Sequence, residues 1–248
     1  TIIISRMRGY HGTNYGGTSA QGLPLNKVGF GQLLPEVVQV DSENIEELAK
    51  FMSENSSRIA AVIVEPLQGA GGVYPPPAGY LEGARKLCDQ HGAFLIFDEV
   101  KTGLTAGAHG ASVRLGVEPD LITLAKSIGG GVPLAAFGGK KKYMDFVTSG
   151  KMAHFGTFNG NPLAMAGVRA IDRLCSDQAL ADAEMLNQQA LDRISAIIDE
   201  YQLPAHTVGF GVKGCVTWST QPVRNYRDYK ATDFGVAEAH WLFALNRG

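Results

Sequence analysis

Apolar residues follow two alternating patterns along the chain. Continuous apolar runs bounded by turn residues predict buried β-strands in the segments TIIISR, AAVIVEP, AFLIFDEV and DLITLAKS. Residues at helical spacing predict one helix with Ile45, Leu48, Ala49 and Met52 and another with Leu81, Ala84, Leu87 and Cys88. Ser42 or Asn44 can cap the first helix, and Gly92 can end the second. This alternation predicts an α/β fold with a mostly parallel sheet covered by helices.

Charged residues stand at the carboxyl ends of three predicted strands. Glu65, Asp98 and Lys126 each follow or close an apolar run that does not alternate, so we expect these strands to be buried on both faces. The carboxyl ends of parallel strands meet at one edge of a sheet, where ligands bind in open α/β folds. Charges there are costly unless they are paired, so two interpretations stay open: a functional site or a stable buried ion pair.

The pattern changes at about Asp177. A long amphipathic helix is predicted from there to Tyr201, followed by an extended segment, VGFGVKGCVTWST, and by a helix over DFGVAEAHWLFALNRG. We therefore divide the chain into a large domain, residues 1–176, and a linker helix with the beginning of a smaller α+β domain, residues 177–248. The first residues already have the pattern of a β-strand, and the last residues are the end of a predicted helix, so we expect both domains to be incomplete.

The composition is that of an ordinary soluble globular protein. Of the 248 residues, 45% are hydrophobic and 19% are charged, and the formal net charge is −2. This charge gives no reason to expect nucleic acid or an anionic membrane as a partner, and no apolar run is long enough to span a bilayer. The basic run at residues 140–142 is interpreted as a solvated turn. Three scattered cysteines in apolar surroundings are typical of reduced core thiols, which favours a cytoplasmic location.

Lys126 has the sequence context of a reactive amine. Desolvation at the end of an apolar strand lowers the pKa of a lysine, so that its neutral amine can attack a carbonyl and form a Schiff base. Asp98, on a neighbouring predicted strand, could hold a protonated heterocyclic nitrogen such as that of pyridoxal phosphate. The glycines at residues 129–131 allow the backbone to turn sharply beside such a site.

Other chemistries lack their motifs. The sequence has no dinucleotide fingerprint, no phosphate loop and no Gly-x-Ser-x-Gly elbow, and its six histidines lack metal-ligand spacing. No metal is therefore expected. A nucleotide-binding α/β protein stays as an alternative that only the glycines after a predicted strand support.

Four longer stretches carry a resemblance to a known family. VIVEPLQGAGG, FLIFDEVKTG, PDLITLAKSIGGGVPLAAFGG and FGTFNGNPLAMAG occur in the order and approximate spacing of the class III, pyridoxal-phosphate-dependent aminotransferases, and GYHG near the start fits as well. The chain resembles this family from Tyr10 to about Arg169 and more weakly beyond. The resemblance implies a large domain of fold type I, pyridoxal phosphate as the cofactor, and an amino donor and a carbonyl acceptor as substrates.

The resemblance also implies roles for individual residues. Lys126 corresponds to the lysine that forms the Schiff base with the cofactor and moves the proton on the substrate carbon, and Asp98 to the partner of the pyridine nitrogen. Val100 would pack under the ring and Tyr10 would stack on its other face, although Tyr10 can also be a core aromatic residue. The other positions implied to bind the cofactor are His11 and Gly12 of the YHG motif, Glu65 and Thr157.

Thr157 bears on the oligomeric state. The resemblance implies a homodimer in which Thr157 reaches across the interface to the phosphate in the neighbouring subunit. The alternative from the residues alone is a hydroxyl that caps a turn in a segment rich in glycine and asparagine.

The sequence departs from the family's pattern at several points. The family's upstream Gly/Ser-Thr phosphate-binding loop has no counterpart before Tyr10. The motifs are most similar to the glutamate-1-semialdehyde aminomutase group and the neighbouring β-amino-acid transaminases, but Ala70 replaces the asparagine and Lys101 the methionine of the mutase pattern. Lys101 could pair with a carboxylate or contact the ring oxygen. We therefore predict an aminotransferase that acts through Lys126, with an aminomutase as one alternative and a non-catalytic relic serving as an interaction module as another.

Overall fold

One sheet of six strands organises the larger part of the chain. It is seen in a computed structural model that describes residues 1–70, 73–224 and 226–247. The strands are Ile2–Arg6 (β1), Val37–Val40 (β2), Ile59–Val64 (β3), Phe94–Asp98 (β4), Leu121–Ala125 (β5) and Ala135–Gly139 (β6). Their order is β2-β1-β3-β4-β5-β6; strands β1 to β5 are parallel, and β6 runs antiparallel to β5. The predicted α/β fold with a mostly parallel sheet is confirmed.

Helices connect these strands and continue beyond them. They are Tyr15–Ala20 (α1), Ile45–Glu54 (α2), Tyr80–His91 (α3), Gly110–Leu115 (α4), Lys141–Thr148 (α5), Pro162–Leu174 (α6), Asp177–Glu200 (α7), Tyr226–Lys230 (α8) and Phe234–Arg247 (α9). A hairpin of two antiparallel strands, His206–Phe210 (β7) and Lys213–Thr217 (β8), lies between α7 and α8. Every helix among the described residues is too short or too polar to cross a bilayer.

The ends of α2 and α3 follow from the residues that flank them. Asn44 precedes α2, and its Oδ1 accepts hydrogen bonds from the backbone N–H groups of Glu46 and Glu47 at 3.0 and 3.3 Å. Asn44 is therefore the cap of this helix. Gly92 ends α3 with a left-handed φ of 65°, a conformation that glycine adopts without strain. Both predicted helices are confirmed.

Helices α2 and α3 cover one face of the sheet. Apolar side chains of β1, β3 and β4 form one buried cluster there with side chains of the two helices, and its fully buried members include Ile4, Leu48, Met52, Leu95 and Phe97. Such burial contributes about 25 cal/mol per Å² of apolar surface removed from water. Cys88 lies in the same cluster, where burial raises the pKa of its thiol to about 12, so the thiol is an unreactive part of the core.

The opposite face of the sheet is only half-buried, which corrects the expectation that the strands are buried on both faces. Ile63, Ile96 and Thr123 remain partly accessible. Ile63 and Thr123 line a cavity beside the strand ends. This part of the face therefore borders a site and is not closed by core packing.

The basic run at residues 140–142 is not a turn, although Lys141 and Lys142 are exposed to solvent as expected. Helix α5 begins directly after Lys140, whose Nζ donates a hydrogen bond to Asp120 Oδ1 at 3.0 Å. Asp120 is buried and also accepts hydrogen bonds from Arg85 Nη1 at 2.8 Å and from the backbone N–H of Leu95 at 2.9 Å. The turn prediction is wrong because a neighbouring element supplies the partner of Lys140, and the local sequence does not show that partner.

The segments after residue 176 have the secondary structure expected of them. Helix α7 spans the predicted linker helix, VGFGVKGCVTWST contributes to the hairpin, and α9 covers the last predicted helix. Asn187 of α7 fixes the hairpin, because its Nδ2 donates to the backbone oxygens of Gly211 at 3.0 Å and Lys213 at 2.9 Å. The division into two domains at residue 176 stays a prediction.

Candidate active site

The carboxyl ends of β3, β4 and β5 border one cavity of about 440 Å³. Glu65 follows β3, Asp98 ends β4 and Lys126 follows β5, and all three line the cavity. Other lining residues come from the chain before α1 and from the turn after β4; they include Tyr10, His11, Gly12, Val100 and Lys101. The prediction that the charges at the strand ends converge is confirmed.

Asp98 is held by three hydrogen-bond donors. His11 Nδ1 lies 2.7 Å from Asp98 Oδ2, and the two side chains are only 3% and 10% exposed. Asp98 Oδ1 accepts from the backbone N–H of Val100 at 3.2 Å and from Thr123 Oγ1 at 3.3 Å. A carboxylate only accepts hydrogen bonds, so the proton between His11 and Asp98 belongs on Nδ1. The other ring nitrogen, His11 Nε2, is buried and has no hydrogen-bond partner among the residues that the structure describes.

Glu65 is fixed by the backbone of the YHG motif. Its Oε1 accepts a hydrogen bond of 2.7 Å from the backbone N–H of Tyr10, and burial raises the pKa of the carboxyl group although this hydrogen bond opposes the change. Gly12, two residues after Tyr10, has a φ of 93°, which favours glycine. The motif therefore places three consecutive residues against the ends of β3 and β4.

Lys126 has an unusual backbone conformation. Its φ is 53°, in the left-handed region that residues with a side chain seldom adopt, and it begins a short 3-10 helix, Lys126–Gly129. Such strain persists only where the surrounding structure enforces it, and it is common at functional sites. The conformation ends β5 abruptly at the cavity.

The surroundings of Lys126 favour its neutral amine. Burial lowers the pKa of the Lys126 side chain, and the positive charge of Lys101 lowers it further, while Asp98 and Glu65 act in the opposite direction. Within the described part of the chain, its ammonium has no hydrogen-bond or ion-pair partner. Lys126 is therefore available for reaction with a molecule in the cavity.

The glycines after Lys126 allow α6 to approach. Gly130 has a φ of 59°, and a Cβ atom there would lie 3.1 Å from Ile171 Cγ1 of α6. A Cβ atom at Gly167 of α6 would lie 2.7 Å from the backbone oxygen of Gly129. The glycines thus provide the sharp turn expected of them and a close contact between the turn and the helix.

Val100 lies in a turn and not in an extended segment as the sequence suggested. It still lines the cavity, and its N–H group contacts Asp98. The strand stops because Glu99 turns into the protein, where its carboxylate accepts hydrogen bonds from the backbone N–H groups of Ala111 at 2.6 Å and Ser112 at 2.9 Å. Glu99 was missed in the sequence, although a second carboxylate directly after Asp98 was a visible signal.

Thr157 lies apart from these residues. It is exposed, in a turn before α6, and is not among the residues that line the cavity. Arg6, which the sequence analysis also missed, supports the site from beneath: it is buried at the end of β1 and its Nη1 donates to the backbone oxygen of Glu65 at 3.3 Å. A charged residue at the end of the run TIIISR was the available signal.

Comparison with known proteins gives this arrangement a family. A family model described as Aminotransferase class-III matches residues 1–237. The chain belongs to this family. Membership in the class III aminotransferases implies pyridoxal phosphate as the cofactor.

Individual class III proteins are similar over nearly the whole chain. Acetylornithine aminotransferase 1 of Pseudomonas syringae pv. tomato is 37% identical over 253 residues, which cover 99% of this chain and 59% of that protein. A glutamate-1-semialdehyde 2,1-aminomutase of Syntrophobacter fumaroxidans is 34% identical over 234 residues, covering 94% and 54%. The structure of an amine transaminase from an uncultivated Pseudomonas species, in its PLP-bound form, superposes with a TM-score of 0.79 at 30% identity, covering 92% and 57%. The chain thus spans a little over half the length of these relatives.

The residues of the cavity fit pyridoxal phosphate. A lysine amine that has no partner in the described ranges and a carboxylate aligned by three donors line the same cavity, and these are the two groups that a pyridine aldehyde requires. Val100 and Tyr10 add apolar surface to the lining. Among the described residues, no group of three or more His, Cys, Asp or Glu side chains is placed to hold a metal ion.

Proposed function

We propose that this chain forms the cofactor-binding part of a pyridoxal-phosphate-dependent aminotransferase, which moves an amino group from an amino donor to a carbonyl acceptor. The observation that carries the proposal is the cavity shared by Lys126 and the Asp98–His11 pair. Bound pyridoxal phosphate supplies an electron sink that stabilises negative charge on the substrate carbon. The chain's own residues bind and orient the reactants and move the proton.

Each lining residue has a role in this proposal. Lys126 holds the cofactor through its Nζ and then carries a proton to and from the substrate carbon, which its lowered pKa favours. Asp98 pairs with the pyridine nitrogen, and His11 holds the carboxylate in place through the 2.7 Å hydrogen bond at its Nδ1. Tyr10 and Val100 flank the ring from opposite sides. Glu65 and Gly12 shape the cavity wall.

The proposal includes a homodimer. Thr157 would reach the phosphate bound in the neighbouring subunit, and its exposed position away from its own cavity is compatible with that role. Phe155 and Phe158 beside it are 94% and 81% exposed, which supports a contact with another protein surface at this place. We also propose the domain division at residue 176 and a cytoplasmic location.

A glutamate-1-semialdehyde aminomutase is the second candidate function. It is favoured by the 34% identity to the Syntrophobacter protein of that name. In a mutase, both half-reactions take place on one substrate skeleton. Ala70, which replaces the asparagine of the mutase pattern, favours the aminotransferase. Lys101 departs from the methionine of the mutase pattern and equally from the glutamine of other branches, so it favours neither.

The first experiment measures the visible absorption spectrum of the purified protein with added pyridoxal phosphate, before and after borohydride. The variants are Lys126→Ala and, as a matched control, Lys50→Ala, which replaces an exposed lysine of α2 far from the cavity in sequence. We expect a band in the wild type and in Lys50→Ala that is absent in Lys126→Ala. After borohydride, the peptide containing Lys126 should carry a phosphopyridoxyl group, because the imine forms with loss of water and its reduction adds two hydrogens.

The outcomes separate the hypotheses. A band of equal strength in Lys126→Ala contradicts the proposed attachment. If no band forms in this chain or in a longer protein that contains it, the enzyme proposal is wrong and the relic takes its place. If the band forms, a screen of amino donors without an added acceptor, followed by one with glutamate 1-semialdehyde alone, separates the transaminase from the mutase.

A further inference from the structure

A second cavity of about 450 Å³ adjoins the first. The two share Val100, Lys101 and Lys126 in their walls, and the second is completed by the loop at Gly69 and by Lys213 of the hairpin. Lysine side chains from three different parts of the chain therefore line one cavity. The roles proposed above use only Lys126, so the other two lysines have no function yet.

Lys101 is positioned by the backbone around it. It lies in the turn after β4, and its carbonyl oxygen accepts a hydrogen bond from Thr105 Oγ1. Its side chain passes over Gly69, where a Cβ atom would lie 3.1 Å from Lys101 Nζ and 3.2 Å from its Cδ. The absence of a side chain at residue 69 therefore leaves the space that Lys101 occupies.

Lys213 is brought to the cavity by the hairpin. The backbone N–H of Val212 donates to the carbonyl oxygen of Thr105 at 2.9 Å, which ties the hairpin to the turn that carries Lys101. Asn187 holds the carbonyl oxygen of Lys213 from the other side. Burial lowers the pKa of the Lys213 ammonium, and Lys101 and Lys126 lower it further against the opposing effect of Glu65, so these lysines lie within electrostatic range of one another.

The carboxylates of Glu65 and Asp98 lie within electrostatic range of these lysines, but neither forms a direct ion pair with them in the described part of the chain. None of the three lysine side chains has a hydrogen-bond or ion-pair partner within the described part of the chain. Asp98 is engaged by His11, and Glu65 by the backbone of Tyr10. Lys101 and Lys213 repel each other and have no ion-pair partner of their own within the described residues, so an anion that enters the cavity beside them relieves this repulsion.

We propose that Lys101 and Lys213 bind the carboxylate of an amino-acid or oxo-acid substrate beside Lys126. This inference rests on the proposed function and deepens it, because it selects acids over simple amines as substrates. Lys126 lines both cavities, so the carbon whose proton it moves lies where they meet. A carboxylate on that carbon or close to it then reaches the two lysines, while the ring of the cofactor stays against Asp98.

The test is the binding of an unreactive acid, which requires no turnover. Propionate and its neutral amide, propionamide, are titrated into the protein loaded with pyridoxal phosphate, and binding is followed by saturation-transfer NMR. The variants are Lys101→Gln and Lys213→Gln, the charge-preserving Lys101→Arg and Lys213→Arg, and Lys50→Gln as the control on an exposed lysine. Circular dichroism checks that each variant is folded.

We expect propionate to bind more tightly than propionamide. Each Lys→Gln substitution should raise the Kd for propionate about tenfold or more, as the loss of a charge-assisted hydrogen bond does, and leave the Kd for propionamide unchanged. The arginine variants and Lys50→Gln should bind propionate within about threefold of the wild type. Equal binding of acid and amide, or Lys→Gln variants that bind propionate normally, overturns the proposal.

A second titration separates the substrate carboxylate from the cofactor phosphate. If Lys101→Gln or Lys213→Gln weakens binding of pyridoxal phosphate but not of pyridoxal or propionate, the lysines hold the phosphate and the proposal is wrong. The visible band that depends on Lys126 is recorded in the same samples. If the band is present and propionate binding does not depend on the lysines, only this inference fails. If lysine-dependent binding is present but no band forms in this chain or in the longer protein that contains it, the proposed function fails and the site does not bind a transaminase substrate.

Discussion

Two regions of the molecule differ in how far they bury their apolar side chains. One is the sheet face beneath α2 and α3, which we call the covered face. The other is the segment of residues 135–174, which we call the open segment. On the covered face Phe97 is completely buried among partners from the same chain. In the open segment, Phe155 and Phe158 are almost fully exposed. A core residue has its packing partners within the chain, whereas a cluster of exposed aromatic residues marks a surface that another protein can cover.

The candidate active site lies between these two regions. Lys126 follows the last parallel strand and starts the glycine turn that leads to β6 and the open segment. The side of the site that carries Asp98 and Glu65 therefore belongs to strands that pack on the covered face. The side that follows Lys126 belongs to the region proposed to meet a second subunit.

The largest expected effect is a loss of stability from a substitution on the covered face. Phe97→Ala should lower the free energy of unfolding by about 3–5 kcal/mol, because it leaves a cavity in a packed core. Phe155→Ala, the same substitution in the open segment, should change it by less than about 0.5 kcal/mol. Urea unfolding at low protein concentration measures both, so that association contributes little. A similar loss of unfolding free energy in the two variants would contradict the difference between the covered face and the open segment.

The next effect concerns association. The double substitution Phe155→Asp and Phe158→Asp should weaken self-association by about 2 kcal/mol or more, which corresponds to roughly thirtyfold in Kd, because it places charges in an apolar contact. Leu25→Asp serves as the control, since Leu25 is also exposed but lies outside the open segment. Sedimentation equilibrium reports the Kd of each variant. Unchanged association of the double variant would place the dimer contact elsewhere.

Much of the fold could be predicted because its signals are local. A continuous apolar run indicates a buried strand whatever its partners are, and Asn44 and Gly92 mark helix ends through contacts within a few residues. The convergence of Glu65, Asp98 and Lys126 needed only one further rule, that parallel strands end at the same edge.

The features that could not be predicted depend on contacts between distant parts of the chain. His11 and Asp98 are 87 residues apart, and nothing near either residue indicates their hydrogen bond. Lys140 lies beside two other lysines, which suggested a solvated turn, but its partner Asp120 is 20 residues away. Val100 was expected on an extended segment because the strand pattern continues to it; the turn arises from the contacts of Glu99 with α4.

A smaller effect is expected when the asparagine that caps a helix is replaced in each of the two regions. Asn44 caps α2 on the covered face, and Asn161 caps α6 in the open segment through Oδ1, which accepts from Leu163 and Ala164. Asn44→Ala should lower the free energy of global unfolding by about 1 kcal/mol. Asn161→Ala should instead speed hydrogen exchange within α6, since little of that helix is buried. Equal global losses would show that the open segment unfolds together with the core.

The smallest effect is expected at Lys126, between the two regions. Burial lowers the pKa of the Lys126 amine and Lys101 lowers it further, so Lys101→Gln should raise that pKa and leave less neutral amine at a given pH. The rate at which pyridoxal phosphate forms the Lys126-dependent band should then follow a pH profile moved to higher pH, whereas Lys101→Arg should keep the profile of the wild type.

Stopped-flow absorbance across the pH range measures these profiles. The shift should be partial, because burial is the larger cause and the substitution leaves it in place. A profile that moves to lower pH would mean that Lys101 raises the pKa of Lys126 through the neighbouring carboxylates more than its own positive charge lowers that pKa. An unchanged profile would mean that water screens the two charges from each other, and that the covered side of the site alone sets the reactivity of Lys126.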